Sequence, residues 1–207
     1  MTNDTISANG IPVLSEIEIL KLGLENVGHY IHPKIVDVLT VLPESTPGFQ
    51  GEAIQQVLKN IQHLRDGKTI VLSGIIGGGK TVAMFIAAIF FSFQPSYPYR
   101  IKKQWLFRTS YDVLKDAFGN DLRELAREQS LLLIDDLGYE HFSDKGWGIA
   151  EWDMLFDTRY RYKLPTLITT NLTPDEFIEK YNRRIYDRLK ETAIWIEVAG
   201  ESMRKPQ

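Results

Sequence analysis

Apolar and polar residues follow two periods along the chain, one typical of helices and one typical of buried strands. Residues 52–64 carry apolar side chains at helical spacing, and Asp66-Gly67 ends this segment. Residues 69–73 form a short apolar run with β-branched members, whereas residues 81–91 form a long apolar run rich in alanine. The same criteria predict strands at 104–108, 131–135 and 165–170 and helices at 110–127, with a break near Gly119-Asn120, and 147–162. The alternation predicts an α/β fold in which helices cover both faces of a parallel sheet.

The first fifty residues differ from the rest, because turn residues surround their apolar segments. Apolar segments lie at residues 17–24 and 35–42, and the turn signals are Asn9-Gly10, Pro33, Pro43 and Pro47-Gly48. We interpret residues 1–50 as a short, partly helical N-terminal arm that could bind a partner. Residues 51–207 then form the main domain.

Size, charge and cysteine content limit the classes of protein to which this chain can belong. With 207 residues, of which 43% are hydrophobic, the chain can bury a substantial core. A net charge of −3 argues against a protein that coats nucleic acid through bulk charge. Because cysteine is absent, disulfides, thiolate metal sites and cysteine nucleophiles are excluded. The polar start MTNDTISANG and the shortness of the longest apolar run, residues 82–91, predict a cytoplasmic protein without membrane contact.

The segment VLSGIIGGGKTVAM contains the phosphate-loop pattern G-x-x-x-x-G-K-[ST]. Its glycines are Gly74, Gly77, Gly78 and Gly79. Glycines adopt backbone angles that direct successive N–H groups at one anion. Lys80 would then contact the outer phosphates of ATP, and the Thr81 hydroxyl would bind Mg²⁺. The alternative is a glycine-rich surface turn, but the order of strand, loop and helix favours a nucleoside triphosphate site.

Polar residues follow two of the predicted strands at the edge where a parallel sheet binds ligands. Asp135 and Asp136 end the apolar segment LLLI, as in a Walker B element. In that role Asp135 would hold Mg²⁺, and Asp136 would orient or deprotonate the attacking water. Asn171 follows the strand at 165–170 and could contact the γ-phosphate and its water. The alternative is that these residues simply mark strand ends before turns.

A well-marked helix follows Asn171. Thr173 and Glu176 form a capping box around Pro174. Apolar residues then recur at every fourth position and predict a buried stripe, made of Phe177, Tyr181, Ile185 and Leu189.

Two arginines of this segment are candidates for an arginine finger. Arg184 and Arg188 lie four residues apart beside the stripe, so both would emerge at one edge of it. From there either could reach the nucleotide of an adjacent subunit and neutralise charge on the γ-phosphate. The alternative is a solvated face of salt bridges with Asp187 and Glu191.

A basic and aromatic cluster precedes and enters the strand at 104–108. It consists of Arg100, Lys102, Lys103 and Arg108 with Tyr97, Tyr99 and Trp105 between them. Such a mixture suits single-stranded DNA, while the alternative is a solvated loop whose aromatic rings cover the edge of the sheet.

The segments GIIGGGKT, LLLIDDLG, RYRYKLPTLITTN, RRIYDRL and GESMR together resemble the DnaC and IstB group of AAA+ ATPases. The similarity covers residues 50–204, and the aspartate pair followed by Leu137-Gly138 is more specific than the phosphate loop. It implies a P-loop NTPase fold in which the Walker B strand does not adjoin the phosphate-loop strand. It also implies subunits that assemble around nucleotide and a task of loading or guiding another machine on DNA.

The resemblance assigns a role to each candidate residue. Lys80 and Thr81 become the phosphate and magnesium residues, Asp135 and Asp136 the Walker B pair, Asn171 the γ-phosphate sensor, Arg188 the preferred finger and Arg204 the second sensor. Asn182 stands where the family often has glycine. Asp136 replaces the longer glutamate of other AAA+ proteins, so we expect ATP hydrolysis to be weak until the protein assembles. The short sequence after Asn171 predicts that the lid domain is absent or vestigial.

Three functions fit these residues. The first is a helicase loader that binds a replicative helicase through its arm and grips single-stranded DNA. The second is an IstB-type transposition helper that binds duplex DNA and a transposase. The third is a nucleotide switch that binds ATP and barely hydrolyses it.

Overall fold

The computed structural model describes residues 14–45, 52–94, 100–101, 104–118, 122–141 and 145–198. The helices are α1 (Glu16–Val27), α2 (Pro33–Ser45), α3 (Glu52–Lys59), α4 (Ile61–Arg65), α5 (Lys80–Ser92), α6 (Ser110–Phe118), α7 (Leu122–Arg127), α8 (Lys145–Arg161), α9 (Pro174–Tyr181) and α10 (Arg183–Thr192), with a 3₁₀ turn at Gly28–Tyr30. The strands are β1 (Thr69–Gly74), β2 (Phe93–Gln94), β3 (Arg100–Ile101), β4 (Trp105–Thr109), β5 (Leu131–Leu137), β6 (Thr166–Thr170) and β7 (Ala193–Val198). No helix in these ranges has both the length and the apolar character that a membrane crossing needs.

The main sheet is parallel throughout and has the strand order β4-β5-β6-β1-β7. Strand β6 separates β5, which carries the aspartate pair, from β1, which leads into the phosphate loop. This is the order that the family resemblance implies. The sequence pattern predicts the other four strands of this sheet but not β7, because no glycine or proline separates β7 from the helix before it.

Hydrophobic clusters cover both faces of the sheet, as the sequence predicts. Successive side chains of β5 belong to different clusters: Leu131 and Leu133 to one, Leu132 and Ile134 to the other. Residues of α1 to α5 complete the first cluster, and residues of α6 to α10 complete the second. All four β5 side chains are fully buried, so the strand that delivers the aspartate pair has a fixed position.

The helices of the predicted arm pack against α5. Leu20 of α1 and Leu39 of α2 are fully buried in the cluster that α5 fills. Gly23 of α1 lies so close to α5 that an added Cβ atom would approach the Ile89 Cγ2 atom to 2.2 Å. The predicted domain boundary between residues 50 and 51 stays a prediction, because residues 46–51 lie outside the described ranges.

The predicted helix after Asn171 is two helices. The capping box of Thr173 and Glu176 starts α9 with Pro174 in its first turn, as predicted. Asn182 then interrupts the helix with a φ of 84°, and its side chain accepts a hydrogen bond from the Ile185 N–H that starts α10. The residues of the predicted stripe are nevertheless all buried, because the apolar faces of both helices meet the same cluster.

Candidate nucleotide-binding site

Glycines shape the loop between β1 and α5 for two different reasons. Gly74, Gly77 and Gly79 have φ values of 129°, 81° and 81°, which other residues rarely adopt. Gly78 does not have a positive φ, so the conformational reason that the sequence analysis gives for it is wrong. Its constraint is space, because an added Cβ atom would lie 3.1 Å from Val198 Cγ1. The loop thus ends at Gly79, the N-cap of α5, where unpaired backbone N–H groups favour an anion.

Lys80 lies inside the curve of this loop, and only 6% of it is exposed. Its ammonium donates hydrogen bonds to the carbonyl oxygens of Gly74 (2.9 Å) and Ile75 (2.6 Å). It also donates to Asn171 Oδ1 at 2.7 Å, which joins the loop to the end of β6. The predicted phosphate-binding cation and the predicted γ-phosphate sensor are therefore in direct contact.

Asp135 is the buried member of the aspartate pair. The Thr81 hydroxyl donates to its two carboxylate oxygens, with distances of 3.1 and 3.2 Å, and the Thr169 hydroxyl donates at 2.5 Å. Burial raises the pKa of Asp135, and the adjacent charge of Asp136 raises it further, whereas the two hydroxyl donors oppose this shift. Thr169 was not predicted to have a role, although its position at the end of an apolar strand was the available signal.

Asp136 is the exposed member of the pair. Its φ of 54° and the irregular register of β5 between Ile134 and Leu137 break the regular alternation of the strand. Its backbone carbonyl accepts hydrogen bonds from the Ser110 hydroxyl and the Tyr139 N–H. Its carboxylate lies 3.5 Å from Asn171 Nδ2. Asn171 thus connects Lys80 to Asp136.

An open pocket of about 300 Å³ lies over the loop. Its lining includes the loop, the start of α5, Asp136 and Asn171, and it extends to Val38 of α2. The pocket therefore combines backbone amides and one buried ammonium with apolar side chains, which suits a ligand with an anionic end and an apolar end.

Oxygen ligands for a cation are present at the same place. The Thr81 hydroxyl and the Asp135 carboxylate are adjacent, and hard oxygen ligands of this kind suit Mg²⁺. Among the described residues there is no group of three or more histidine, aspartate or glutamate side chains that could hold a metal alone. The residues present therefore fit an Mg²⁺ ion that phosphates and water also coordinate.

The arginine-finger candidates lie apart from these contacts, on α10. Arg188 Nη1 contacts Asp153 at 3.0 Å and Asp157 at 3.1 Å, and Arg184 Nη2 contacts Asp153 at 3.1 Å. These carboxylates belong to α8, whereas the alternative interpretation expects Arg184 and Arg188 to pair with Asp187 and Glu191 of α10. Asp187 pairs instead with Arg183.

Two other predicted regions lie wholly or partly outside the described residues. Arg204, the predicted second sensor, lies outside the described residues. So do four members of the basic and aromatic cluster, Tyr97, Tyr99, Lys102 and Lys103, and the side chain of Arg100. Of the remaining basic and aromatic cluster, Trp105 is buried against Phe85, and Arg108 pairs with Asp116 at 2.8 Å. These two side chains serve the core and the sheet edge.

A buried network that the sequence analysis does not identify fixes the loop after Asp136. Glu140 is 1% exposed and accepts hydrogen bonds from the Tyr181 hydroxyl and the Gly138 N–H. Lys180 donates to the carbonyl oxygens of Gly138 and Glu140. Burial and the charge of Glu140 raise the pKa of Tyr181 well above its usual value. The network ties this loop to α9.

Comparisons with known proteins agree with this geometry. The family model described as IstB-like ATP binding protein matches residues 44–207. A search of the curated proteins finds no significant match.

Among solved structures, a DnaC helicase loader is 18% identical with a TM-score of 0.58, covering 72% of this chain and 90% of that one. A DnaI structure is 19% identical with a TM-score of 0.56, covering 76% and 87%. The replication initiator DnaA, bound to AMPPCP and single-stranded DNA, is 18% identical with a TM-score of 0.54, covering 71% and 45%. The chain thus matches less than half of the DnaA chain, and identities this low show a shared fold. The match of this family model to residues 44–207 shows that the chain belongs to the IstB-like ATP binding proteins, and the phosphate-loop sequence and the separation of β5 from β1 agree with this.

Proposed function

We propose that this protein is an Mg²⁺-dependent ATPase that becomes active on assembly and that loads or guides a replicative helicase on single-stranded DNA. The observation that carries the ATPase proposal is the joining of three sequence-distant segments at one edge of the sheet. Lys80 contacts Asn171, and Thr81 contacts Asp135. Together these residues supply a cation, a magnesium ligand set and a polar amide around one pocket.

Each residue has a distinct task. The backbone N–H groups of the loop and the Lys80 ammonium bind the phosphates of ATP. Thr81 and Asp135 would hold Mg²⁺, which would neutralise charge on the phosphate oxygens. Asp136, exposed beside Asn171, orients the attacking water or accepts its proton, and the Asn171 amide holds the γ-phosphate and that water. The aspartate side chain is shorter than the glutamate of other AAA+ proteins, which supports slow hydrolysis by the isolated subunit.

An arginine from a neighbouring subunit completes the proposed site. Arg188 is 25% exposed and held by two carboxylates of α8, whereas Arg184 is 71% exposed and held by one. The family resemblance favours Arg188, while the greater exposure keeps Arg184 as the alternative. Either residue would stabilise charge on the transferred phosphoryl group of the adjacent subunit.

Mixing two inactive variants tests this arrangement. Lys80→Ala would lose ATP binding but keep its arginines, and Arg188→Ala would keep ATP binding but lose the finger. We expect each alone to hydrolyse ATP at least about a thousandfold more slowly than wild type, and an equal mixture to recover activity. Arg183→Ala, on the same helix, is the control and should retain turnover.

The outcomes distinguish Arg188 from Arg184, and an arginine that acts between subunits from one that does not. Unchanged turnover in Arg188→Ala would show that Arg188 is not the finger, and Arg184→Ala would then be tested in the same mixture. If the mixture stays inactive, the arginine does not act between subunits.

The helicase-loading role is supported by the likeness in fold to a DnaC helicase loader, of which this chain covers 90%. The N-terminal arm, residues 1–50, is the proposed helicase-binding segment. A second candidate, the IstB-type transposition helper, is favoured by the family model itself. Capture experiments in the presence of ATP distinguish them: a loader would retain a replicative helicase, whereas a helper would bind duplex DNA cooperatively and retain a transposase.

A further inference from the structure

Four consecutive exposed side chains surround the end of α8, at the opposite end of the sheet from the nucleotide pocket. They are Tyr160, Arg161, Tyr162 and Lys163, which we name the α8–β6 turn. The tyrosines are 57% and 63% exposed and are among the most exposed aromatic residues described. The turn leads into Thr166, the first residue of β6, which pairs with the first residue of β1. The turn therefore lies at the amino end of the strands.

Lys163 has a backbone conformation that glycine would adopt more easily. Its φ is 50°, and its N–H donates to the Tyr160 carbonyl, while the Leu164 N–H donates to the Arg159 carbonyl. This left-handed position after a helix is the one where glycine is the usual residue. Lys163 therefore carries a backbone cost that glycine would avoid.

A second turn brings another cation beside Lys163. Gly67 has a φ of 75°, and an added Cβ atom would lie 2.0 Å from the Lys163 carbonyl oxygen, so the two turns are in contact. Lys68 follows Gly67 and is exposed. Within the described ranges neither Lys68 nor Lys163 forms an ion pair, and Arg161 pairs with Asp157. Asp66 is the exposed acid of the second turn. Lys68, Arg161 and Lys163 are thus grouped at this end of the sheet with two acids, Asp66 and Asp157, although the whole chain has a net charge of −3.

The α8–β6 turn has a rigid base. The guanidinium of Arg159, one residue before the turn, is buried and donates five hydrogen bonds, to the Thr166 hydroxyl and to the carbonyl oxygens of Leu125, Glu128, Ser130 and Pro165. These bonds fix the backbone on both sides of the turn. Its exposed side chains therefore start from a fixed frame, which lowers the entropy lost when a ligand binds.

We propose that the α8–β6 turn and Lys68 form a binding surface for single-stranded DNA. The cations contact phosphates, and the tyrosine rings stack on bases. Unpaired bases expose the ring faces that such stacking needs, whereas a duplex hides them. The surface offers aromatic rings as well as cations, and the rings find stacking partners in unpaired bases, whereas an acidic protein segment offers only charge to the cations. The proposal rests on the DNA-binding part of the proposed function and locates it away from the ATP pocket.

Fluorescence anisotropy with a labelled oligothymidylate of about 20 nucleotides tests the surface. The double variant Tyr160→Leu with Tyr162→Leu should raise the Kd at least about tenfold, because two stacking platforms are lost. Lys163→Gly should make the negative slope of log K against log salt less steep by about 0.7, since one phosphate contact is lost. Its folded state should be at least as stable as wild type, because glycine relieves the strained φ. Tyr30→Leu and Lys59→Ala, exposed residues elsewhere, are the controls and should bind as wild type does.

The outcomes separate this inference from the proposed function. If the wild type does not bind the oligonucleotide, the DNA-binding part of the proposed function and this inference both fail. If the wild type binds it and the turn variants bind equally well, only this inference fails. If Lys163→Gly weakens binding of poly-L-glutamate while the tyrosine variants leave DNA binding unchanged, the surface recognises acidic protein, which also overturns the inference.

Discussion

The two ends of the parallel sheet both bury charged side chains, but they satisfy those charges differently. At the amino end, Arg159 is 1% exposed, and its five donated hydrogen bonds use every N–H group of the guanidinium. Burial lowers the pKa of Arg159 to about 10, and the charge of Glu128 opposes the shift, so the guanidinium stays charged at neutral pH. The buried Arg159 charge is therefore satisfied without any ligand.

At the carboxyl end, Lys80 and Asp135 are also buried, at 6% and 7% exposed. Their contacts include hydrogen bonds to neutral groups: two loop carbonyls and an amide for Lys80, and two hydroxyls for Asp135. Phosphate oxygens and a divalent cation are stronger partners for these charges than neutral groups are. The difference lies in where the charges sit: Arg159 uses every N–H group to join segments of the fold, whereas Lys80 lines an open pocket, where a ligand can replace its neutral partners.

The largest effect on stability should come from the amino end. Arg159→Met would remove the buried guanidinium donor from the Thr166 hydroxyl and four carbonyl oxygens, of which those of Leu125 and Pro165 keep a backbone N–H donor. We expect a loss of about 3 to 5 kcal/mol in the free energy of unfolding. Arg159→Lys keeps the charge but has fewer donors, so it should lose less. Urea unfolding measures both variants. A loss below about 1 kcal/mol in Arg159→Met would contradict the structural role of this end.

A smaller effect of opposite sign should come from the carboxyl end. Because the folded state raises the pKa of Asp135, ionised Asp135 costs stability at neutral pH. Asp135→Asn should therefore raise the free energy of unfolding by up to about 2 kcal/mol at pH 7, while Mg²⁺-dependent ATP turnover is lost.

The pH dependence of the free energy of unfolding provides a second check on the sign of the Asp135→Asn effect. The advantage of Asp135→Asn should be absent below the unfolded pKa of about 3.9 and should grow until the pH exceeds the folded pKa of Asp135. Asp136→Asn, with an exposed side chain, is the control and should change stability less. Destabilisation by Asp135→Asn at pH 7 would mean that this buried carboxylate supports the fold as Arg159 does.

The sequence predicts the carboxyl end better than the amino end, for a physical reason. The residues of the nucleotide site lie in short local patterns, and a parallel sheet brings the ends of its strands together, so the meeting of Lys80, Asp135 and Asn171 follows from strand order. The role of Arg159 depends on carbonyl oxygens from segments far apart in sequence, and backbone groups leave no mark in the residue pattern. The break at Asn182 had one signal, its place at a position where the family often has glycine, but the buried stripe keeps its spacing across the break and favours one continuous helix.

Titration calorimetry of Mg²⁺·ATP into the wild type and Lys80→Ala tests whether the carboxyl end of the sheet binds nucleotide. The account predicts a single site in the wild type and an affinity at least about a hundredfold lower in Lys80→Ala, because the loop would lose its buried cation. Lys59→Ala, which removes an exposed lysine, should bind as the wild type does. Equal affinity in Lys80→Ala and the wild type would contradict the assignment of this end of the sheet to nucleotide binding.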